Sequence, residues 1–312
     1  MDDQQGARSG GRTLRLGSTS DTILFTSPLM GGTSVPEVAL ISSSLPRLLD
    51  VVSDWSPMHD AAIHGRLLSL RNLLSQGWPV NLITADQVSP LHEACLGGHA
   101  SCVNLLLSHG ARVNGTTVDW HTPLYNACVN GNRECVDLLL RHGASPHPVN
   151  DVASPMHEAA KRGHLECIES LITYGGDIDH NINHLGTPLY QACKHQQIAC
   201  AKRLLQSGAN VNLGRGLDSP LHVVARVSNE KMTSMLMDFG ADMQAKDIEG
   251  KRPADLVPPE SPVTQIFMER EGPPSLMQLC RLRIRKCFCS HQHYKIATLF
   301  LPEELKEYLL HI

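Results

Sequence analysis

Ser89-Pro90-Leu91-His92-Glu93-Ala94 returns in near-copy along the chain at an almost constant interval. Ser56-Pro57-Met58-His59 precedes it, and Thr122-Pro123-Leu124-Tyr125, Ser154-Pro155-Met156-His157, Thr187-Pro188-Leu189-Tyr190 and Ser219-Pro220-Leu221-His222 follow. Their prolines stand 33, 33, 32, 33 and 32 residues apart, and a worn copy, Arg252-Pro253-Ala254, comes 33 further on. A fixed internal period marks one supersecondary unit repeated, each copy stacking only on its neighbours.

Each unit has a physical reading. The Ser/Thr-Pro pair starts an inner helix, with a hydroxyl as N-cap and Pro where its missing N–H costs nothing. Small pairs such as Ala61-Ala62, Ala94-Cys95 and Ala159-Ala160 let neighbouring inner helices approach, and Gly65, Gly98, Gly131 and Gly163 end them. A second helix, as in Cys102 to Leu107, closes on Gly77, Gly110, Gly143, Gly175, Gly208 and Gly240. Gln196 and Ser228 replace the inner-helix Gly, so a different turn is expected in units five and six. Around Gly250 to Glu271 a half-unit is expected to cap the array, with Pro258-Pro259 and Pro262 breaking its second helix. The pattern resembles ankyrin repeats, which implies an all-α solenoid of six full repeats plus a capping half-repeat.

Composition agrees with this. Only 4% of the 312 residues are aromatic, so the core must come from Leu, Ala, Ile, Val and Cys. A net charge of −4 is the wrong sign for a nucleic-acid binder, and no apolar run reaches the ~20 residues of a membrane span. Of ten cysteines, Cys95, Cys128 and Cys193 fall five residues after a motif proline, and Cys102, Cys135, Cys167 and Cys200 fall twelve after. Fixed placement in a helical repeat reads as apolar packing. The chain begins Met1-Asp2-Asp3 without a signal-peptide pattern, so a cytoplasmic protein with nuclear access is expected. Residues 1–53 are rich in Gly, Ser and Thr and are expected to be a disordered or partly ordered tail, interrupted by apolar islands near residues 23–30 and 38–52.

His59, His92, His157 and His222 share one motif position, where Tyr125 and Tyr190 substitute. That exchange argues for a hydrogen bond tying adjacent turns together, not for a ligand or a catalyst. Asn81, Asn114 and Asn212 share a turn position after the second helix. In ankyrin proteins such a position also resembles a site of asparagine hydroxylation.

Two departures from the repeat pattern suggest a partner surface. The tip between units usually carries Gly three residues before the motif Pro; only Gly250 keeps it, the others being Asp54, Gln87, Trp120, Val152, Leu185 and Leu217. Apolar tips at Trp120, Leu185 and Leu217, with Trp55 beside Asp54, fit a contact surface. The inner helices also present Asp60, Glu93 and Glu158 early and Lys161, Arg162, Lys194, His195 and Arg226 late, a row read as solvent-facing that would select a partner of mixed charge.

At Pro273 the period stops. Ser275 can cap a helix whose Leu276, Leu279, Cys280, Ile284 and Cys287 share one face, flanked by Arg281, Arg285 and Lys286. Cys280, Cys287, Cys289, His291 and His293 lack the paired spacing usual in structural zinc sites, so no metal and no cofactor are expected.

Leu276-x3-Cys280-x3-Ile284 resembles the elongin-binding element of a SOCS box, and Leu299-Phe300-Leu301-Pro302 followed by Leu305 resembles its cullin element, with Phe300 where the family has Pro. Repeats followed by such a segment resemble the ankyrin repeat and SOCS box family. The resemblance covers residues 54–312 and implies repeats over 54–272 and a small helical SOCS box over 273–312. It further implies that Leu276, Cys280 and Ile284 bind elongin C, partnered by elongin B. Leu301, Pro302 and Leu305 would touch a cullin-5 type scaffold carrying a RING subunit. The repeats, through Trp55, Asp60, Glu93, Trp120, Leu185 and Leu217, would hold a protein substrate for ubiquitination and proteasomal degradation. Within the family the repeats look most like a member associated with creatine kinases, which implies one as a candidate substrate. No catalytic constellation is visible, so the chain is read as a non-catalytic receptor. A non-degradative scaffold or inhibitor of the bound partner is the alternative.

Overall fold

The computed structural model describes residues 55–270, 272, 276–287 and 298–310. The N-terminal tail, Asp54, Ser275 and the Cys289, His291 and His293 group lie outside the described residues. Six helix pairs stack in sequence: α1 (Pro57–Ile63) with α2 (Leu67–Ser75), α3 (Pro90–Leu96) with α4 (Ala100–Ser108), and α5 (Pro123–Asn130) with α6 (Arg133–Arg141). These are followed by α7 (Pro155–Arg162) with α8 (Leu165–Thr173), α9 (Pro188–Lys194) with α10 (Ile198–Gln206), and α11 (Pro220–Val227) with α12 (Glu230–Asp238). Each odd-numbered inner helix packs on the next inner helix, and each even-numbered outer helix on the next outer one. Two isolated bridges occur among the described residues and no strand.

Helices of seven to nine residues do not hold alone in water, so stacking supplies their stability. Every motif proline opens its helix, and Ser89, Thr122, Ser154 and Thr187 accept the backbone N–H three residues on. The small pairs are fully buried, and all seven repeat-pattern cysteines are buried free thiols. Burial pushes the thiols of Cys95, Cys102, Cys193 and Cys200 up, and that of Cys135 to about 12, so they remain protonated packing groups.

The motif histidines do tie adjacent units together. In His92 the Nδ1 accepts from the Ser89 hydroxyl at 2.8 Å, while Nε2–H donates to the carbonyls of His121 at 3.1 Å and Gly115 at 3.2 Å. The rings of His59, His157 and His222 repeat this, reaching the carbonyls of Val88, Gly186 and Lys251. Burial lowers the pKa of His92 and His157 to about 4, which keeps both neutral. Where Tyr190 substitutes, its hydroxyl donates to the Asp218 carboxylate at 2.8 Å, so another side chain makes the inter-unit tie.

Two expectations are corrected. Gln196 and Ser228 do not change the turn between helices. They adopt φ of 57° and 54°, the left-handed conformation that Gly131 and Gly163 take at the same place. Nor does Pro262 break the last helix: it sits at the first turn of α13 (Pro262–Glu269), where the lost N–H has no intrahelical acceptor. The inner helix of that half-unit is the shortened element, a 3-10 turn over Pro253–Leu256. α13 buries Val263 and Phe267 and packs on α12. Beyond it lie α14 (Leu276–Cys287) and α15 (Glu303–Leu310), which pack on each other.

Candidate functional site

The first candidate surface is α14. Leu276 is 78% exposed, Leu279 48% and Ile284 37%, and Cys280 is an exposed free thiol. Spacings of three, four and eight from Leu276 set all four on one side of the helix. An apolar stripe left in solvent on a short helix is costly unless a partner covers it. Leu279 belongs to it by position; the three-residue motif Leu276-Cys280-Ile284 passes over it. In the segment ahead of α15, Phe300 stands fully exposed, Pro302 and Leu305 are exposed, and Leu301 is half-buried.

The tips between units form the second surface. The same pair of backbone bonds builds the turns at Thr84, Thr117 and Asp247: each N–H reaches the carbonyl four residues on, and each carbonyl accepts from three residues on. That turn demands positive φ at its fourth residue, and Gln87 (60°), Trp120 (63°) and Gly250 (76°) supply it. Left-handed φ in a bulky residue such as Trp120 is strained. Leu185 and Leu217 differ from the expectation that they replace a turn glycine. There the positive φ has moved to the neighbouring Gly186 (82°) and Gly216 (61°), and the leucines avoid the strain. Trp55, Trp120 and Leu217 are exposed; Leu185 is half-buried, its carbonyl accepting from the Gln191 side chain. Val118 and Ile248 add exposed apolar groups, the latter at 91%. Both stand five residues before a motif proline, a regularity that a comparison of tip sequences would have shown.

The charged row is not the open surface expected. Glu93 and Glu158 are buried, and burial raises the Glu93 carboxyl pKa. Glu158 lies under its own helix's cations, 2.5 Å from Arg162 and 3.4 Å from Lys161. Asp60 is half-buried and meets Arg66 at 2.6 Å, while Arg226 bonds Asp218 and Asp247. Most of the charge on this face is answered within the chain.

Asn81, Asn114 and Asn212 act as brackets between units. Asn114 donates to the Gly143 carbonyl at 3.0 Å and accepts from the Ser145 N–H at 3.0 Å; Asn81 does the same with Gly110 and Arg112, and Asn212 with Gly240 and Asp242. Among the described residues no group of three or more His, Cys, Asp or Glu is placed to hold a metal ion, and no helix is long and apolar enough to cross a membrane.

Known proteins share both parts. The ankyrin repeat family model matches three times, at residues 40–117, 58–150 and 148–215, and the SOCS box model matches residues 272–310. The chain is 66% identical over 282 residues to ankyrin repeat and SOCS box protein 9 of Homo sapiens, which covers 90% of this chain and 95% of that one. It is 50% identical over 262 residues to ankyrin repeat and SOCS box protein 11 of Homo sapiens, across 84% of this chain and 81% of that protein. The crystal structure of the human ASB11 ankyrin repeat domain superposes with a TM-score of 0.68 at 50% identity, covering 71% of this chain and all of that one. The ankyrin repeat domain of Bcl-3 superposes at 0.59 with 25% identity, over 69% of this chain and all of that one.

Proposed function

We propose that this chain, which belongs to the ankyrin repeat and SOCS box family, is the substrate-recognition subunit of a cullin-RING ubiquitin ligase. The observation that carries the reading is the exposed stripe Leu276, Leu279, Cys280 and Ile284, lying inside the segment that matches the SOCS box model. Leu276, Cys280 and Ile284 anchor elongin C with its partner elongin B. Leu301, Pro302 and Leu305 meet a cullin-5 type scaffold and its RING subunit, and Phe300 presents a ring there in place of a family proline. The repeats over residues 54–272 hold the substrate through the tips at Trp55, Trp120, Leu185 and Leu217, with the half-buried Asp60 at the acidic end and the buried Glu93 left out of the contact. A creatine kinase is the candidate substrate. Buried free thiols suit a reducing compartment, the cytoplasm or the nucleus.

The chain itself performs no bond making in this role. A substrate lysine amine attacks the thioester carbonyl of the ubiquitin-loaded E2; the C–N isopeptide bond forms, the C–S bond breaks, and the E2 cysteine leaves, taking up the proton the amine gives up. The receptor contributes proximity, turning a bimolecular encounter into a nearly intramolecular one. Co-purification tests the reading: the full chain retains elongins B and C, and Leu276→Ala with Cys280→Ala releases them. Retention by the double variant refutes it.

A further inference from the structure

The SOCS-box helix is seated on the last ankyrin unit by a contact that the repeat pattern hides. Each outer helix ends at a glycine with φ between 83° and 100°, from Gly77 to Gly240. At Gly77, Gly110, Gly143 and Gly175 the space where a Cβ would stand is open, with no atom within 4 Å. At Gly240 it is taken: a Cβ there would fall 2.9 Å from both methyl carbons of Leu282. Gly240 therefore meets two demands, a left-handed turn and a socket for a side chain from α14.

Leu282 lies roughly 120–160° round α14 from Leu276, Cys280 and Ile284, and about 60° from Leu279, at the edge of the exposed stripe. The Leu282 edge of α14 is thus fastened to the array while the part of the stripe turned farthest from it, Leu276, Cys280 and Ile284, stays exposed. A second fastening lies at the same end of α12. Arg270, at the end of α13, donates to the Asp238 carboxylate at 2.6 Å and to the Ser234 carbonyl at 3.4 Å. The chain leaving the array is pinned to the last turns of α12, first by an ion pair and then, twelve residues later, by an apolar knob.

We propose that Leu282 seated on Gly240 is a positioning joint that fixes the attitude of the SOCS box to the ankyrin array, and so decides which lysines held by the array come within reach of the E2 thioester. The inference rests on the receptor function proposed above. Geometry of this kind acts strongly: a misplacement of about 1 Å can cost transfer roughly a hundredfold.

The test uses the full chain bound to elongins B and C, with Leu282→Ala to empty the socket and Leu282→Met to refill it. Two fluorophores on noncanonical residues replacing the exposed Ser69 and Glu307 report the distance from array to SOCS box by single-molecule energy transfer. In a reconstituted ligase, mass spectrometry counts ubiquitin on the chain's own exposed Lys161, Lys194, Lys202 and Lys231, so no outside substrate is needed. The native chain and Leu282→Met give one narrow distance distribution and the same lysine pattern. Leu282→Ala broadens the distribution and slows or redistributes transfer by roughly tenfold, with elongin affinity unchanged. An unchanged distribution or an unchanged lysine pattern in Leu282→Ala overturns the joint. Loss of elongin binding in Leu282→Ala overturns it too, because Leu282 would then belong to the elongin face or to the folding of α14. If the native chain fails to bind elongins, the receptor reading falls, while the distance measurement on the free chain still decides the joint.

Discussion

Replacing Ser228 by Gly is expected to stabilise the sixth unit, against the usual direction for a helix-end substitution. Ser228 holds φ at 54°, where a non-glycine residue carries about 1–2 kcal/mol of Cβ strain. Glycine removes that strain but gives up about 0.5–1 kcal/mol through its greater freedom in the unfolded chain. A second contribution has the same sign. The Ser228 Oγ is buried and finds no hydrogen-bond partner among the described residues, and a hydroxyl in that condition costs about 1–3 kcal/mol. The net expectation is a gain of about 1–4 kcal/mol. Two companion variants separate the causes. Ser228→Ala deletes the hydroxyl and keeps the strain, whereas Gln196→Gly relieves strain at φ 57° on an exposed residue. Repeat arrays unfold in parts, so native-state hydrogen exchange at the amides of α11 and α12 is the appropriate assay. Slower exchange in Ser228→Gly, with Ser228→Ala between it and the native chain, is the expected order. Exchange that is faster in Ser228→Gly than in the native chain would refute the reasoning, since the serine would then be making a bond worth more than its strain.

Stability should fall with acid across the range set by His92 and His157. Each titrates at about 6.5 when unfolded and at about 4 when folded because burial disfavours its charged form; the unfolded chain therefore binds more protons between those values, and stability rises with pH through that window. The loss approaches about 3 kcal/mol per ring by pH 4, and urea midpoints from pH 7 to pH 4 measure it, with His92→Gln expected to flatten the slope. Asn114→Ala, which removes two hydrogen bonds between units, should cost about 1–3 kcal/mol of local stability by the same hydrogen-exchange assay. If Asn81, Asn114 and Asn212 are hydroxylation sites, their peptides from protein made in animal cells carry the mass of one added oxygen, and unmodified peptides at all three positions reject that assignment.

Sequence periodicity carried most of the fold because every unit solves the same local problem. A cap, a proline, a small pair and a closing glycine each act within a few residues, so each leaves a mark at a fixed spacing. The exposed stripe of α14 was legible for a similar reason, since Leu276, Leu279, Cys280 and Ile284 recur at helical intervals. Side chains whose state depends on a neighbour far along the chain were not. The row of Glu93 points to solvent but the residue is buried, and Leu185 stands at the turn-glycine position although Gly186, one residue on, takes the positive φ. Proline breaks a helix when it stands in the interior, but at the first turn of α13 the missing N–H of Pro262 costs nothing, and residue type alone does not distinguish the two positions.

Gly240 shows why such misses gather where the array ends. Its residue type is fully explained by the repeat, because all six outer helices close on a glycine, and nothing in the period sets it apart. Its second role exists only through Leu282, forty-two residues later and outside the period. A repeat can disclose what a unit needs from its own turn and from the unit beside it. It cannot disclose what a terminal unit does for a segment of different architecture, since that contact occurs once and leaves no pattern. In a receptor built from an array and an adaptor, the joint between them is therefore the part that periodicity hides and the part on which the reach of the ligase depends.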